Sequence, residues 1–138
     1  MEDAPSEVPI GPKIELRVSV SPVHGLGVFA AQAVKPGQVI EICPTIVVPP
    51  AQVEAIDQTI IREYVYPWED GYIAVLGYGM IYNHAVESNA RYFSMRQPQS
   101  GVVVQVYASV QPIEPDEEIF VNYAGARGFT GRLWFQDD

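Results

Sequence analysis

The sequence predicts a mostly-β fold with one short helix. Three observations favour it: short stretches in which apolar and polar residues alternate, turns rich in proline and glycine between them, and a single stretch with helical spacing. The 138 residues fit one domain, since single domains commonly hold about 100 to 150 residues. We expect a flexible leader over residues 1–12, which is acidic and interrupted by proline, and one folded domain over residues 13–138.

Three strands are predicted in the first third of the chain. The first covers residues 14–20, where apolar side chains alternate with polar ones. Two apolar stretches follow at residues 28–34 and 39–48, and the Lys-Pro-Gly-Gln turn between them predicts that they pair with each other. Pro44 in the second stretch requires an edge position or a bend, because proline has no amide hydrogen to donate.

The predicted helix follows Pro49 and Pro50 and ends before Pro67, because proline suits a helix start and disrupts a helix interior. Its apolar stripe consists of Val53, Ile56, Ile60, Ile61 and Tyr64. Strand patterns return at residues 72–76, 102–107 and 119–122. In the middle stretch, Val102, Val104 and Val106 alternate with Val103, Gln105 and Tyr107.

Charge and cysteine content exclude several classes of function. Eight basic and seventeen acidic side chains give a net charge of −9, which repels phosphate backbones, so we expect a basic protein partner and no direct contact with nucleic acid. Cys43 is the only cysteine and His24 and His84 are the only histidines, so neither an intrachain disulfide nor a metal site is predicted.

The sequence also lacks the marks of export or membrane insertion. No apolar run reaches the roughly 18 residues of a membrane helix, and the acidic N-terminus is unlike a secretory signal. We therefore expect an intracellular protein with no membrane association, cytoplasmic in a bacterium or nuclear in a eukaryote.

Four segments combine residues suited to ligand binding, and each also has a plain structural explanation. At residues 24–29 two glycines form a turn that either admits a ligand to the backbone or is simply tight. The Asn-His loop at 82–89 either orients itself through side-chain to backbone bonds or holds a small polar ligand. Residues 114–125 join an acidic turn to a strand ending in Tyr123, whose phenol packs in the core or projects into a cleft. The aromatic tail at 128–135 caps the core or stacks on a flat heterocycle.

In order and spacing, three of these segments resemble the signature motifs of SET methyltransferases. The likeness covers about residues 14–135, and departs from the usual motif where Ala85 replaces Ser or Cys and Ser88 replaces Pro. The matching residues are Gly25-Leu26-Gly27, then Asn83-His84 with Asn89, then Glu118-Ile119-Phe120-Val121-Asn122-Tyr123.

The resemblance implies a fold and a reaction. The fold would be the SET (β-clip) arrangement of small curved sheets with a C-terminal pseudoknot. The reaction would transfer a methyl group from S-adenosylmethionine to a lysine of a basic, histone-like or other protein, with S-adenosylhomocysteine as product.

The resemblance also assigns roles to residues. Tyr123 and Tyr92 would be catalytic. The cofactor would contact His24, Gly25, Leu26, Gly27, Asn83, His84, Tyr123 and Trp134. The substrate channel would hold Tyr78, Tyr82, Tyr92 and Phe135. No cysteine-rich zinc segment follows the last motif, so Trp134 and Phe135 would close the channel.

Two alternatives stay open at this stage. Ala85 and Ser88 would suit a SET-fold binding module without catalytic activity, and the three motifs could also coincide by chance in an unrelated mostly-β interaction protein. Compact members of the family can dimerise, so a homodimer is open as well. The target lysine and the number of methyl groups added do not follow from the sequence.

Overall fold

The computed structural model describes residues 7–123 and confirms the mostly-β fold with one short helix. The strands are β1 (Gly11–Pro12), β2 (Leu16–Val20), β3 (Leu26–Ala30), β4 (Val39–Val48), β5 (Tyr66–Trp68), β6 (Gly71–Val75), β7 (Asn83–His84), β8 (Ala90–Arg96), β9 (Val103–Ser109) and β10 (Phe120–Val121). The helix is α1 (Val53–Asp57), flanked by 3₁₀ turns at Pro50–Gln52 and Ile60–Glu63.

The described strands form one larger sheet and two small ones. The larger sheet has the order β5-β6-β4-β9-β8, with β1 added beside β4, and all of its pairs are antiparallel. One small sheet pairs β2 with β3 in antiparallel fashion, and the other pairs β7 with β10 in parallel. This parallel pair places the last motif of the chain directly beside the Asn-His motif.

The predicted pairing of residues 28–34 with residues 39–48 is wrong. Strand β3 pairs with β2, whereas β4 pairs with β9 over its first half and with β6 over its second half. The first half of β4 is buried on both faces, with Ile40 and Cys43 fully inaccessible, so it requires a central position in the larger sheet. Pro44 lies where β4 exchanges β9 for β6, and its carbonyl accepts a hydrogen bond from Leu76 N at 2.8 Å.

The helix is much shorter than the sequence predicts. At the end of α1, the amides of Gln58 and Thr59 donate three residues back, to Ala55 O at 3.3 Å and Ile56 O at 2.9 Å. Thr59 Oγ1 then accepts from Ile61 N at 3.2 Å and caps the following 3₁₀ turn, so the helix does not continue. None of the helical residues in this region is buried, and Ile60 is 70% exposed. The apolar stripe therefore lies outside the core: Val53 and Ile56 are half-buried, and Ile60, Ile61 and Tyr64 are exposed.

Strand β9 overlaps the predicted stretch at residues 102–107, and both of its faces are covered. All seven of its residues are buried, because a large core cluster lies on one face and a smaller cluster lies on the other. The smaller cluster includes Val8, whose amide donates to Gln97 Oε1 at 3.2 Å and whose carbonyl accepts from Gln97 Nε2 at 2.9 Å. Val8, in the segment that we assigned to the leader, thus packs on the sheet, and β1 pairs with β4 ahead of the predicted start of the domain at Lys13.

Within residues 7–123, no helix has both the length and the apolar character needed to cross a lipid bilayer.

Candidate active site

The glycine turn between β2 and β3 forms one wall of the site. Ser21 N donates to Gly25 O at 2.7 Å, and Ser21 Oγ accepts from the amides of Val23 and His24 at 3.0 and 3.3 Å. Gly25 has φ +50°, a left-handed conformation that glycine adopts at little cost. A Cβ added at Gly25 would meet nothing within 4 Å. The turn therefore presents its backbone to open space.

Asn83 on β7 ties this turn to the middle of the chain. Its Nδ2 lies 3.0 Å from His24 O, 3.0 Å from Leu26 O and 2.9 Å from Glu118 Oε2, all of them acceptors. The side chain is only 7% exposed, so these contacts replace water. Asn83 consequently fixes the backbone of the glycine turn at His24 and Leu26.

The segment before β10 supplies a second tie. Glu118 is buried, and its Oε1 accepts a hydrogen bond from Ser21 Oγ at 2.8 Å. The Asn89 side chain binds the main chain of the same segment: Asn89 Nδ2 donates to Glu118 O at 2.9 Å, and Asn89 Oδ1 accepts from Phe120 N at 2.8 Å. The three resemblance motifs therefore meet at one point of the fold.

Tyr123 follows β10 and lies against His84. Its amide donates to Nδ1 of His84 at 2.9 Å, and the two rings are 5.3 Å apart at their centroids. Its hydroxyl donates to the carbonyl of Tyr82. Both ends of the Tyr123 residue are thus fixed by the Asn-His segment.

These residues surround an open groove of about 890 Å³, which is within the roughly 300 to 1,000 Å³ typical of small-molecule sites. The lining comes partly from the glycine turn and partly from the exposed end of the helical segment. The lining residues are Val23, His24, Gly25, Leu26, Ile60, Glu63, Tyr64, Met80, Ile81, Asn83, His84 and Tyr123.

A narrow second cavity adjoins the groove. It encloses about 10 Å³, about the space of one water molecule. Four tyrosines line it, and three of them are in contact: the Tyr66 ring meets Tyr92 edge-on at 4.9 Å and Tyr123 edge-on at 6.1 Å. Tyr123 lines both cavities, as do Glu63 and Tyr64. The tyrosine pocket and the groove therefore meet at Tyr123.

The SET domain family model matches residues 25–124, which is most of the chain and includes every site residue described above except Ser21, Val23 and His24. The chain belongs to the SET domain family. Comparison with curated protein sequences gave no match.

Solved structures of SET-containing proteins show the same arrangement of the chain. A Plasmodium falciparum protein with a provisional histone methyltransferase assignment superposes with a TM-score of 0.65 at 26% identity, over 89% of this chain and 98% of its own. A humanized mutant of the Chaetomium thermophilum Polycomb Repressive Complex 2 with a bound inhibitor gives 0.65 at 19% identity, and an apo, autoinhibited PRC2 structure gives 0.69 at 17%. These two matches cover 82% of this chain but only 15% and 16% of the PRC2 chains, so they bear on the fold alone.

This SET domain brings most of the expected site residues together. The groove contains six of them: His24, Gly25, Leu26, Asn83, His84 and Tyr123. Tyr92 lines the tyrosine pocket, and its hydroxyl lies 3.4 Å from the carbonyl of Tyr123. Trp134 and Phe135 lie outside the described residues.

Three expected site residues of the SET domain lie elsewhere. Gly27 faces the protein interior, where an added Cβ would lie 2.2 Å from Glu118 Oε2. Tyr82 is fully buried, and its hydroxyl donates to Glu41 Oε1 at 2.7 Å. Tyr78 lines neither described cavity; it packs against the core, and its amide donates to Glu41 Oε2 at 3.1 Å.

Sequence reasoning missed Tyr66, which is central to the tyrosine pocket. Its hydroxyl lies 3.3 Å from Gly79 O and 3.2 Å from the hydroxyl of Tyr107. Burial raises the pKa of Tyr66 well above the usual tyrosine value, and the neighbouring Tyr123 phenol adds to the effect. A tyrosine before a proline carries no local pattern that marks a pocket wall, so only the tertiary contacts reveal it.

Proposed function

We propose that this SET domain transfers a methyl group from S-adenosylmethionine to a lysine of a basic protein. Its family and its histone methyltransferase neighbours support a function of the lysine methyltransferase type. The observation that carries the proposal is the position of Tyr123 at the junction of an open groove and a narrow tyrosine pocket. Such a junction lets a large methyl donor bind in the groove and a narrow lysine side chain enter through the pocket, so that the two meet at Tyr123.

The groove suits S-adenosylmethionine in volume and in chemistry. The open backbone at Gly25 and the imidazole of His84 offer polar groups to an amino-acid and ribose moiety. Met80, Ile81 and Tyr64 add apolar and aromatic surface on which a flat heterocycle can pack. When bound, the cofactor supplies an electrophilic methyl group on a positively charged sulfur.

The tyrosine pocket would prepare the acceptor amine. With an ordinary pKa of about 10.4, only about one lysine in roughly 2,500 is neutral at pH 7, which corresponds to about 4.6 kcal/mol. Walls of Tyr66, Tyr92 and Tyr123 exclude water from the amine and thereby lower the pKa of the lysine. The pocket itself thus favours the nucleophilic form of the acceptor without a dedicated base.

Tyr123 would align the amine with the groove. Its ring is fixed by the hydrogen bond from its hydroxyl to Tyr82 O and by the bond from its amide to His84. Alignment of reacting groups at near-attack distance can remove several kcal/mol from a barrier. Glu63 lines both cavities, and the net charge of −9 favours a lysine-rich partner.

Trp134 and Phe135 would close the channel, as the resemblance implies. The removal of residues 132–138 should then abolish cofactor binding measured by calorimetry. Unchanged affinity in the truncated protein would contradict this role.

The direct test incubates the full chain with radiolabelled S-adenosylmethionine and a panel of histones and other basic proteins. We expect label on a lysine, located by mass spectrometry, and binding of S-adenosylhomocysteine in calorimetry. Cofactor binding without transfer to any protein of the panel would favour an inactive binding module. Absence of both binding and transfer would favour a mostly-β interaction protein and refute the proposal.

A further inference from the structure

We propose that Glu118 is a positioning residue that holds the glycine turn, one wall of the groove, in the shape that binds the cofactor. The part of this inference that concerns the cofactor rests on the proposed function. The acidic stretch that contains Glu118 has the composition of a solvated turn, yet the Glu118 side chain is buried while its neighbour Glu117 is exposed. The carboxylate of Glu118 reaches beneath the glycine turn and not into solvent.

Each oxygen of the Glu118 carboxylate receives a hydrogen bond from a different part of the wall. Oε1 accepts from Ser21 Oγ at 2.8 Å, and Ser21 Oγ in turn accepts from the amides of Val23 and His24. Oε2 accepts from Asn83 Nδ2 at 2.9 Å. One side chain therefore connects the start of the glycine turn with the Asn-His motif.

Glu118 supplies the only charged acceptor among the hydrogen bonds that Ser21 Oγ and Asn83 Nδ2 form within residues 7–123. The Ser21 oxygen already accepts two amides, so its single hydroxyl hydrogen is directed to Glu118. Asn83 Nδ2 has two hydrogens for three acceptors, two of which are carbonyls of the turn. The negative oxygen of Glu118 supplies the strongest of these acceptors, since charged acceptors form the stronger bonds.

Stability alone does not explain a carboxylate at this position. Within residues 7–123, no lysine, arginine or histidine forms an ion pair with Glu118. A buried carboxylate without a cation is costly compared with an apolar side chain of similar size. Gly27 is shaped to receive it, because any Cβ there would overlap Oε2. A role in fixing the shape of the groove explains why a carboxylate is kept at this buried position despite its cost in stability.

The test variant is Glu118→Gln, which keeps the size of the side chain. It replaces one carboxylate oxygen with an NH₂ group, which cannot accept the hydrogen bond from Ser21 Oγ or Asn83 Nδ2. Its matched control is Glu117→Gln, the same change one residue earlier on the exposed surface. We expect Glu118→Gln to raise the Kd for S-adenosylhomocysteine by roughly tenfold or more, the loss of about one hydrogen bond to a charged group. At saturating cofactor, kcat should stay within about threefold of wild type, because the tyrosine pocket is untouched.

Hydrogen exchange in the cofactor-free protein provides an independent readout. Glu118→Gln should speed exchange of the Val23 and His24 amides relative to amides in β9, since these two depend on Ser21 Oγ. Glu118→Asp, which keeps the negative charge but shortens the reach to Ser21 Oγ, should act in the same direction and covers the case in which Glu118→Gln does not fold. The control should match wild type in both measurements.

The outcomes separate this inference from the proposed function. Faster local exchange together with weaker cofactor binding supports the positioning role. Wild-type exchange at Val23 and His24, or wild-type Kd with only a lowered melting temperature, overturns it. If wild type itself binds no cofactor, the proposed function fails, and the exchange experiment still decides whether Glu118 holds the turn.

Discussion

The hydroxyl of Tyr82 and the carboxylate of Glu41 meet inside the core, with 2.7 Å between Oη and Oε1. Glu41 is 2% exposed and also accepts from the amide of Tyr78. The Tyr82 ring stacks on Tyr107 at a centroid distance of 4.3 Å. Because the carbonyl of Tyr82 receives the Tyr123 hydroxyl, this buried pair supports the junction of the two cavities from behind.

Tyr82→Phe should destabilise the protein by about 1 to 3 kcal/mol, because it leaves Glu41 Oε1 buried without its donor. Urea unfolding measures the change. Tyr64→Phe, at a tyrosine that is 39% exposed, is the matched control and should alter the free energy of unfolding by less than about 0.5 kcal/mol. Equal effects of the two substitutions would show that the Tyr82–Glu41 bond contributes nothing.

Tyr123→Phe should lower kcat by about tenfold or more while the Kd of the cofactor changes by less than about twofold. The loss of the hydroxyl frees the ring from Tyr82 O without altering the glycine turn. Steady-state kinetics with a verified substrate, combined with calorimetry, separates the two quantities. Tyr72→Phe makes the same chemical change at a tyrosine that lines neither cavity and should keep wild-type kcat. A wild-type kcat in the Tyr123 variant would remove its hydroxyl from the mechanism.

Substitution of either glycine of the first motif by alanine should lower the free energy of unfolding, but for different reasons. Gly27→Ala forces a Cβ to within 2.2 Å of Glu118 Oε2 and should cost about 1 to 3 kcal/mol through overpacking. Gly25→Ala meets no atom within 4 Å, so its cost of about 1 to 2 kcal/mol comes from the left-handed backbone alone.

Repeating both glycine substitutions in a protein that lacks the Glu118 side chain tests whether the contact with Glu118 causes the loss of stability at Gly27. In a Glu118→Ala protein, the cost of Gly27→Ala should shrink because its clash partner is gone, and the cost of Gly25→Ala should not change. Additive effects at Gly27, measured by urea unfolding of all single and double variants, would contradict the predicted contact.

Alkaline pH should destabilise this protein through its buried tyrosines. Burial raises the pKa values of Tyr66, Tyr82 and Tyr107 well above the ordinary value. Below pH of about 10, these phenols are protonated in both the folded and the unfolded state, so they leave the free energy of unfolding unchanged. Above it, the unfolded chain releases protons that the folded state retains, and the free energy of unfolding falls as pH rises.

Tyr107→Phe isolates one of these groups, since Tyr107 has no accessible surface. The variant should lose stability less steeply than wild type above pH of about 10, by about 1.4 kcal/mol per pH unit once the unfolded phenol is ionised. Urea unfolding over a pH series gives both slopes. Parallel curves for the variant and wild type would show that Tyr107 ionises equally in both states.

Local patterns in the sequence predicted much of the fold because they depend on near neighbours. Alternation identified residues 14–20 and 72–76 as strands, and the structure has β2 and β6 there. The same reasoning failed for the helical segment, where the spacing of Ile60 and Tyr64 predicts a buried face that the structure exposes to the groove. Periodicity reports how side chains distribute around an element, and it does not report what covers that face.

The amino-acid sequence by itself determined a mostly-β chain, the order of its three motifs, and six residues that the structure gathers in one groove. Only the tertiary structure decided that Glu118 is buried, that Tyr66 walls the pocket and that Tyr123 joins the two cavities. The reason is distance along the chain: Ser21 and Glu118 are 97 residues apart, and Asn83 and Glu118 are 35 apart. Contacts of that range depend on which strands become neighbours, and strand order is set by the burial of the whole chain at once.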